Sequence, residues 1–431
     1  MAHDTSISVL GQRPGADAGE VLRGVGAGSG GGGGVGAVRS LYIHVPFCVH
    51  KCHYCDFYSF VDTRDQQGAF VERLVRELGA LSRHATGPLR TVFVGGGTPS
   101  LLRPELWSRV LAALAERFDL SEIRRGAGEF TVECNPESVT GELLGVLRGG
   151  GVDRISMGAQ SFDRRHLRTL ERRHDPEAVG RALGLAAGAG FERTSIDLIF
   201  GIPGQTVEEW SRDLDAALAL GTTHLSCYAL TYEPNTAMTA RMRSGEFARA
   251  DEDLEADLYE LCVARCRGAG LERYEVSNFA RGGRESLHNL AYWRQEQWLA
   301  AGPSASGQVF TSGSPFAHGH LWKNVARLGD YLEGGRASGY SPIVDHEGPD
   351  AARALRERIM MGIRLAEGIS GARTARDAEM VRGGAGERMC RAAAELERDG
   401  LMTAGGERWA LTDRGFLVAD FVARRLAGEV R

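Results

Sequence analysis

The 431-residue sequence contains no apolar run close to the roughly 18 residues that a membrane-spanning helix needs, and no apolar signal segment follows a basic start. Basic residues are not in excess, since 51 Lys and Arg stand against 56 Asp and Glu. The formal net charge of -5 gives no general attraction to nucleic acid or to an anionic membrane. We therefore expect a cytoplasmic protein that neither spans a membrane nor binds nucleic acid.

Cysteine is also scarce, and eight cysteines are too few for a disulfide framework in a chain of this length. Three of them, Cys48, Cys52 and Cys55, nevertheless form a C-x₃-C-x₂-C pattern that has no fourth cysteine nearby. This crowding favours a metal site in a reducing compartment. Cys262 and Cys266, four residues apart in a helical pattern, are instead expected to be small buried core residues.

The chain divides into four segments by composition. Residues 1–38 include the stretch GVGAGSGGGGGVGAV and are predicted to form a disordered tail, because so glycine-dense a segment cannot bury enough apolar surface. A mitochondrial presequence is the alternative, and the acidic residues of the segment argue against it. Residues 39–270 are predicted to form one α/β domain, 271–345 a loop-rich connecting segment, and 346–431 a small C-terminal domain.

Six short β-rich runs, each followed by a helical stretch, characterise the α/β domain. Neighbouring parallel strands need such crossovers, so the pattern predicts a parallel sheet. Six units fit either an open doubly wound sheet or a partial (β/α)6 barrel, and polar residues at the C-terminal ends of the strands favour the barrel. The runs are LYIHV, TVFVGGG, EFTVECN, RISMGAQ, SIDLIFGIPG and HLSCYAL.

The C-terminal segment predicts two or three helices and a short hairpin around Trp409. Acidic and basic residues are mixed along these helices, so a structural or docking role is favoured over DNA binding. The predicted fold is therefore a partial (β/α)6 barrel followed by a small, mostly helical, winged-helix-like domain.

The three cysteines by themselves leave the metal open. Soft sulfur ligands select zinc, copper(I) or iron–sulfur clusters. A structural zinc ion would need a fourth protein ligand, such as His44, His50 or His53. A four-iron cluster would instead leave one iron open for a small molecule, and the short spacing lets one loop hold three corners of it. Unligated thiols are the remaining alternative.

The cysteine pattern, with Tyr54 before the last cysteine, resembles that of the radical S-adenosylmethionine (SAM) superfamily. From about Ser40 to the C-terminus the chain also resembles the oxygen-independent coproporphyrinogen III oxidase family. The resemblance implies a radical SAM barrel and a [4Fe-4S] cluster held by the three cysteines, with SAM bound at the fourth iron. The stretches that carry it are LYIHVPFC, VGGGTPS, ECNPES, ISMGAQSF, DLIFGIPGQT and ERIMMGIRLAEGI.

Two features bear on the branch of that family. The oxidases carry another cysteine two residues after the third, where this sequence has Phe57. The haem-chaperone branch, HemW, lacks that cysteine and carries H-N-x-x-Y-W, which here comprises His288, Asn289, Tyr292 and Trp293. The resemblance therefore implies a haem chaperone rather than an oxidase.

The resemblance also implies SAM-binding positions at the strand ends. Glycines there let the backbone approach a ligand closely, Glu133 could accept hydrogen bonds from ribose hydroxyls, and the fork of Arg172 suits a carboxylate. The alternatives are a tight turn for the glycines, a solvated acid for Glu133 and a half-buried core residue for Tyr42. The implied SAM residues are Tyr42, Gly96, Gly97, Thr98, Glu133, Gln160, Arg172 and Asp197.

The H-N-x-x-Y-W motif implies a haem site. His288 would ligate haem iron through an imidazole nitrogen. Asn289, Tyr292 and Trp293 complete the motif, and the rings of Tyr292 and Trp293 supply a flat apolar surface. Taken without the resemblance, a histidine beside a tryptophan is expected to be a structural residue whose hydrogen bonds are satisfied.

We therefore expect a haem chaperone that carries one [4Fe-4S] cluster and exchangeable SAM, binds haem and passes it to an unidentified acceptor protein. An electron donor and peripheral membrane contact through the acceptor complete the expected partners. The alternatives are radical decarboxylation of coproporphyrinogen III and radical SAM methyl transfer, so the sequence leaves open whether the protein is an enzyme.

Overall fold

A computed structural model of the chain describes residues 16–23, 37–310 and 319–430. Its strands, in chain order, are β1 (Ser40–Val45), β2 (Phe47–Cys48), β3 (Phe60–Val61), β4 (Thr91–Gly96), β5 (Glu129–Cys134), β6 (Arg154–Gln160), β7 (Arg193–Phe200), β8 (His224–Ala229), β9 (Glu272–Glu275), β10 (Asn278–Ala280), β11 (Leu299–Ala301), β12 (Ser306–Phe310), β13 (Gly319–Asn324), β14 (Ile343–Glu347), β15 (Ile369–Ser370), β16 (Met402–Thr403) and β17 (Arg408–Leu411).

The α-helices, in chain order, are α1 (Ala18–Arg23), α2 (Gln67–Leu81), α3 (Pro104–Arg117), α4 (Ser121–Arg124), α5 (Gly141–Gly149), α6 (Arg164–Thr169), α7 (Pro176–Gly188), α8 (Val207–Ala219), α9 (Ala237–Arg243), α10 (Glu252–Gly268), α11 (Leu287–Trp293), α12 (Leu328–Glu333), α13 (Ala351–Gly362), α14 (Gly371–Val381), α15 (Ala385–Arg398), α16 (Asp413–Leu417) and α17 (Ala419–Ala427). Across the described ranges, none of these helices combines the length and the apolar character that crossing a bilayer requires.

Strands β1, β4, β5, β6, β7 and β8 form the predicted parallel sheet, and each pairs with the next along the chain. A doubly wound sheet reverses its strand order at a switch point, whereas these six strands lie side by side in chain order. The predicted partial barrel is therefore confirmed, and the strand bounds lie close to the predicted runs.

Alternation along the strands gives the barrel an apolar wall and a polar interior. Residues at every second position of a strand share one face. In β5, Phe130 and Val132 belong to the main hydrophobic core, while Glu129, Thr131 and Glu133 share the opposite face. The next three strands place further polar residues on that interior face, namely Arg154, Ser156, Ser195, Asp197, His224 and Ser226.

Side-chain caps fix where the helices begin after the strands. Thr206 and Glu209 form a capping box at the start of α8, where the Glu209 amide donates to Thr206 Oγ1 at 3.3 Å and the Thr206 amide donates to Glu209 Oε2 at 3.1 Å. Asp175 caps α7 by accepting from the Ala178 amide at 2.7 Å. These caps set the ends of the loops that line the barrel mouth.

Residues 271–345 differ from the predicted connecting segment, because three of their strands extend the barrel sheet. Strand β11 pairs in parallel with β1, with Leu299 opposite Leu41, and β10 and β9 follow β8 in antiparallel pairing. The sheet order is therefore β11-β1-β4-β5-β6-β7-β8-β10-β9. Strands this short carry too few residues to show a period of two, so no periodic pattern predicts them.

Helix α1 corrects part of the predicted disordered tail. Its Ala18 amide donates to the Ser341 carbonyl at 3.0 Å, and Val21 and Leu22 are buried. Gly19 lies against the ring of Tyr340, where a Cβ would come within 2.4 Å of a ring carbon. Residues 16–23 are thus ordered beside the three-stranded sheet β12-β13-β14, while 1–15 and 24–36 lie outside the described residues.

The C-terminal domain has its own hydrophobic core, which runs from Leu355 to Val430. The predicted hairpin around Trp409 is present as β16 and β17, and β15 completes a small sheet. Arg273 of β9 joins this domain to the barrel, because its guanidinium lies 3.6 Å from the centre of the Phe416 ring and donates to Asp413 at 2.6 Å. The domain therefore packs against the β9 edge of the sheet.

Candidate functional site

The cysteine loop lies at the C-terminal end of the barrel strands. Two hydrogen bonds hold the chain just before Cys48 to the residues that follow β4. The Gly97 amide donates to the carbonyl of Val45 at the end of β1, at 2.8 Å, and the Thr98 amide donates to the carbonyl of Phe47 in β2, at 2.6 Å. A Cβ on Gly97 would lie 2.6 Å from the Phe47 carbonyl oxygen. Packing alone therefore requires a glycine at this position. This agrees with the alternative that the glycines form a tight turn.

The three predicted metal ligands are all free and half-buried. Burial raises the pKa of the Cys55 thiol to about 11. Burial also raises the pKa of Cys52, against the lowering effect of the Arg172 guanidinium. Without a metal these two groups are therefore thiols at neutral pH, and metal binding would release their protons.

The three cysteine sulfurs are not gathered as closely as the ligands of one zinc ion would be. Around a tetrahedral zinc, sulfurs lie about 3.8 Å apart, as a bond length of about 2.3 Å requires. In the described ranges, one group of three metal-ligating side chains has all its ligand atoms within 4.8 Å of one another, and it is Asp163, His166 and Glu209 rather than the cysteines. That group is tied together by Arg165, which donates to both carboxylates.

The histidines that could have completed a zinc site are engaged elsewhere. His44 donates from Nε2 to the Tyr58 carbonyl at 2.8 Å and accepts from the Tyr42 hydroxyl at Nδ1, 3.1 Å away. Burial lowers the pKa of His44 to about 4, so the ring is neutral. His50 accepts from Arg173 at 3.3 Å, and His53 accepts from Arg241 at 3.2 Å.

Arg172 connects the cysteine loop to the strand ends. Its guanidinium donates to the Asn135 side-chain oxygen at 3.0 Å and to the Gly158 carbonyl at 2.7 Å, and it lies 3.8 Å from Cys52 Sγ. Asn135 in turn donates to Thr98 Oγ1 at 3.1 Å, and that hydroxyl lies 3.4 Å from Cys48 Sγ. A continuous polar chain therefore joins the sulfurs of Cys48 and Cys52.

The structure also separates Arg172 from its neighbour Arg173. Arg172 is turned into the site, and its Nε is buried without a hydrogen-bond partner in the described part of the chain. Arg173 is exposed and contacts His50. The buried Nε is a donor that a bound anionic group could satisfy.

Two half-buried carboxylates lie next to each other behind the cysteine loop. Burial raises the pKa of Glu133 to about 7, and the neighbouring Asp197 carboxylate adds to the rise. The Gly96 amide donates to Glu133 Oε2 at 3.1 Å. Ser156 Oγ lies 3.3 Å from both carboxylate oxygens of Asp197, whose pKa is also raised by burial. The pair offers acceptors for ligand hydroxyls in a water-poor interior.

Gln160 stands at an irregular point of the sheet. The register between β6 and β7 shifts between Gly158 and Gln160, and Gln160 has a φ of 66°. A residue other than glycine rarely adopts this left-handed conformation, and bulges of this kind re-aim side chains next to binding sites. The position is therefore consistent with a ligand-facing role for Gln160.

The H-N-x-x-Y-W motif forms α11 at the opposite, N-terminal end of the strands. His288 is 1% exposed and shares a 2.8 Å hydrogen bond with Thr91, the first residue of β4. Its ring stacks on Phe93 at 5.3 Å and meets Tyr292 edge-on at 4.7 Å. Its Nε2 is buried and makes no hydrogen bond to any described residue. The ring is therefore buried as expected of a structural histidine, but the hydrogen bonds of its Nε2 are not satisfied as that alternative expects.

The rest of the motif ties the barrel base to neighbouring strands. Asn289 donates to Tyr274 Oη at 3.1 Å and to Glu275 Oε1 at 2.8 Å, and Glu275 forms a β-bridge with Leu365 of the C-terminal domain. Tyr292 and Trp293 are half-buried. The structure thus brings the predicted SAM residues other than Tyr42 together at the mouth and places the predicted haem residues together at the base.

Tyr42 lies between the two groups. Its ring lies 6.3 Å from that of Phe93 and 6.4 Å from that of His288, and its hydroxyl bonds to His44 below the cysteine loop. Burial raises the pKa of Tyr42 well above its usual value. The motif at the base therefore supports, through Phe93 and Tyr42, the floor of the cysteine site.

Sequence reasoning missed Asn135, Ser156 and Glu129 as members of this arrangement. Asn135 and Ser156 follow the same every-second-position rule that placed Glu133 in the interior, which was the available signal. Glu129 caps the start of α11, because its carboxylate accepts from the amides of Leu287 at 3.1 Å and His288 at 3.3 Å. Glu129 lies 158 positions before Leu287, so no local sequence pattern predicts this contact.

Comparison with known proteins agrees with this architecture. The sequence matches the radical SAM superfamily over residues 42–217 and the HemN C-terminal domain over residues 350–418. The solved structure of coproporphyrinogen III oxidase (HemN) from Escherichia coli superposes with a TM-score of 0.74, covering 90% of each chain at 22% sequence identity, which supports the fold.

Relatives of higher identity identify the branch. The heme chaperone HemW of Mycobacterium tuberculosis strain H37Rv is 38% identical over 394 residues, covering 90% of this chain and 95% of that protein. The heme chaperone HemW of Bacillus subtilis strain 168 is 33% identical over 338 residues, covering 77% and 85%. The chain therefore belongs to the HemW family of the radical SAM superfamily.

Proposed function

We propose that the protein is a haem chaperone, which binds haem and transfers it to an acceptor protein. Cys48, Cys52 and Cys55 would hold a [4Fe-4S] cluster whose fourth iron binds SAM. The observation that carries the proposal is the loop of three free thiols at the mouth of the barrel, on a chain of the HemW family. The oxidases have a further cysteine at the position of Phe57. This phenylalanine is 63% exposed, and its side chain offers no metal ligand.

The residues around the loop suit the parts of SAM. The cluster and SAM together would supply reductive cleavage of a sulfonium bond when bound. Arg172 has a donor free for the SAM carboxylate, and Glu133 and Asp197 can accept from ribose hydroxyls. Tyr42, Gly96, Gly97, Thr98 and Gln160 complete the proposed SAM residues. These groups bind and orient the ligand, while the helices around the sheet exclude water.

Haem binding is the first test of the chaperone proposal. Haemin added to the anaerobically reconstituted protein should give a saturable Soret shift, and haem should pass to an apoprotein acceptor on mixing. Coproporphyrinogen III should remain unchanged in the same assay with SAM and a reductant. Steady formation of protoporphyrinogen, or no Soret shift at any haemin concentration, would instead contradict a chaperone. Localisation in the cytoplasm, an electron donor and membrane contact through the acceptor are parts of the same proposal.

Replacing Glu133 with glutamine should change stability and SAM binding in opposite directions. The pKa of Glu133 is about 7 when folded and about 4.3 when unfolded. Because the pKa is higher in the folded state, protonation of Glu133 stabilises that state when the pH is below the pKa of the unfolded state. This contribution is lost as pH rises through 7. The metal-free variant should therefore gain up to about 3 kcal/mol relative to wild type between pH 4 and pH 8, as urea unfolding at each pH would measure.

The same variant should bind SAM roughly tenfold more weakly, because an amide replaces one acceptor oxygen with a donor. Calorimetric titration of SAM into reconstituted protein measures this loss. Glu105→Gln, which alters an exposed ion pair with Arg103, is the control and should change neither quantity. Unaltered SAM affinity in Glu133→Gln would remove Glu133 from the proposed set.

A further inference from the structure

Asn135 lies at the centre of the polar chain that connects the cysteine loop to the strand ends. It follows β5, and its side chain lies between the guanidinium of Arg172 and the hydroxyl of Thr98. Its backbone is fixed on both sides, because its amide donates to Ser100 Oγ at 3.1 Å and its carbonyl accepts from the Ser138 amide at 3.0 Å. The side chain is therefore held from an anchored position.

The chemistry of arginine decides which way the side-chain amide of Asn135 points. A guanidinium carries only donors, so the atom that lies 3.0 Å from Arg172 Nη2 must be the amide oxygen. The amide nitrogen then faces Thr98 and donates to its Oγ1 at 3.1 Å. The position therefore requires one acceptor and one donor, whereas an ionised aspartate of the same shape would supply only acceptors.

This direction determines what the Thr98 hydroxyl does next. A hydroxyl has one proton to donate, and because Thr98 Oγ1 accepts from Asn135, that proton is available for another acceptor. Cys48 Sγ lies 3.4 Å from Oγ1. Thr98 is 2% exposed, so little water competes for its proton. Once Cys48 has lost its own proton on metal binding, its sulfur can only accept, and Thr98 is then the donor.

Cys52 receives its donor from the other end of the same chain. Arg172 Nη1 lies 3.8 Å from Cys52 Sγ, while Arg172 Nη2 donates to Asn135. Hydrogen bonds to the sulfurs are among the factors that set the reduction potential of an iron–sulfur cluster, because they stabilise the negative charge that an added electron brings. Two of the three predicted ligand sulfurs thus face donors that bond to one amide side chain.

We propose that Asn135 is a positioning residue, which directs the Thr98 hydroxyl at the Cys48 sulfur and thereby raises the reduction potential of the cluster. The inference rests on the proposed [4Fe-4S] site and concerns the regulation of that site. The side-chain bonds of Asn135 go to Thr98 and Arg172, so its effect on the Cys48 sulfur passes through Thr98. Arg172 Nε remains available for an anionic ligand, so SAM binding and this role are compatible.

Reductive titration of the anaerobically reconstituted full-length protein, with dithionite and redox mediators and without SAM, tests the contact between Thr98 and the sulfur. The electron paramagnetic resonance signal of the reduced cluster measures the fraction reduced at each potential. Thr98→Val should lower the ratio of reduced to oxidised cluster roughly fivefold at a fixed potential, as the loss of one hydrogen bond predicts. Thr98→Ser keeps a hydroxyl and should titrate like wild type. Thr403→Val, which removes an exposed hydroxyl on β16, is the control.

A double-mutant cycle tests the role of Asn135. Asn135→Asp accepts from Arg172 but cannot donate to Thr98, so the hydroxyl should turn toward the new carboxylate and away from the sulfur. Adding Thr98→Val to Asn135→Asp should therefore change the ratio less than about twofold. The added charge is present in both members of that comparison and cancels. If Asn135→Asp assembles no cluster, Asn135→Ala takes its place, and the effect of Thr98→Val should again be smaller than in the wild-type background.

Two results would overturn the inference. One is a wild-type titration curve from Thr98→Val protein that carries a full cluster by iron and sulfide analysis, and Thr98→Ala takes the place of this variant if valine prevents cluster assembly. The other is an equal effect of Thr98→Val in the presence and absence of Asn135. Wild-type protein that assembles no [4Fe-4S] cluster would instead overturn the proposed function itself.

Discussion

Cys52→Ser should leave the anaerobically reconstituted protein without its cluster. Wild-type protein should take up about four irons per chain, as one [4Fe-4S] cluster requires, and should show broad absorbance near 400 nm. Serine is a poor ligand for iron, and Cys52 Sγ lies 3.8 Å from the Arg172 guanidinium. Loss of this ligand leaves two thiols on a loop that must hold three corners. Iron and sulfide analysis with visible absorbance measures the outcome.

Cys390→Ser provides the matched control for that experiment. Cys390 is a free cysteine on α15, exposed and distant along the chain from the loop. Its replacement should leave iron content and absorbance unchanged. Wild-type protein that fills with zinc and excludes iron under the same conditions would contradict the cluster assignment, as would a Cys52→Ser variant that retains four irons.

Glu129→Gln should destabilise the folded protein by about 3 kcal/mol, as expected when one partner of a buried ion pair is removed. Glu129 is fully buried, and its carboxylate accepts from Arg193 at 2.8 Å and from Ser286 Oγ at 3.0 Å. Its carboxylate also caps α11 through the amides of Leu287 and His288. The variant leaves the Arg193 charge with Asp153 alone. Urea unfolding of the metal-free protein at pH 7 measures the loss.

The pH dependence of this effect has a definite sign. Burial by itself would raise the pKa of Glu129, but the Arg154 and Arg193 guanidinium groups and the backbone amides lower it below its usual range. A lowered pKa contributes stability above the unfolded value of about 4.3, and the contribution disappears as pH falls through the folded value. The difference between wild type and Glu129→Gln should therefore shrink below about pH 4.

Glu177→Gln is the matched control for Glu129→Gln. Glu177 pairs with Arg164 at 2.7 Å, but the two side chains are 62% and 59% exposed. Exposed pairs of this kind contribute about 0.2–1 kcal/mol at most. Equal losses in the two variants would mean that the pairing at the barrel base contributes no more than a surface pair.

The position of the cysteine loop at the ends of the strands could be predicted from sequence because its residues follow local rules. Three ligands within eight positions must lie on one loop, and strand alternation sends Glu133 to the interior wherever the sheet forms. The partial barrel followed in the same way, since six β–α units in series restrict the topology to two choices.

The positions of helices α1 and α11 depend instead on contacts between segments that are distant along the chain. Helix α1 has six residues, below the length at which helices form alone, and is stabilised by contact with the Tyr340 region. The position of α11 is set by Glu129 and Thr91, which lie more than a hundred positions earlier in the chain. No local pattern around His288 distinguishes a ring inside the barrel from one on its surface.

The pairing of β1 with β11 has a consequence for biosynthesis. The strand that precedes the cysteine loop leaves the ribosome early, and its outer neighbour Leu299–Ala301 is made roughly 10–50 seconds later at ordinary rates of translation. During that interval one side of β1 has unpaired backbone donors and acceptors, and the three thiols are already present in the nascent chain. Cluster insertion in the cell is therefore expected to follow the synthesis of β11, and nascent chains stalled before residue 299 should accumulate less iron than chains stalled after residue 301.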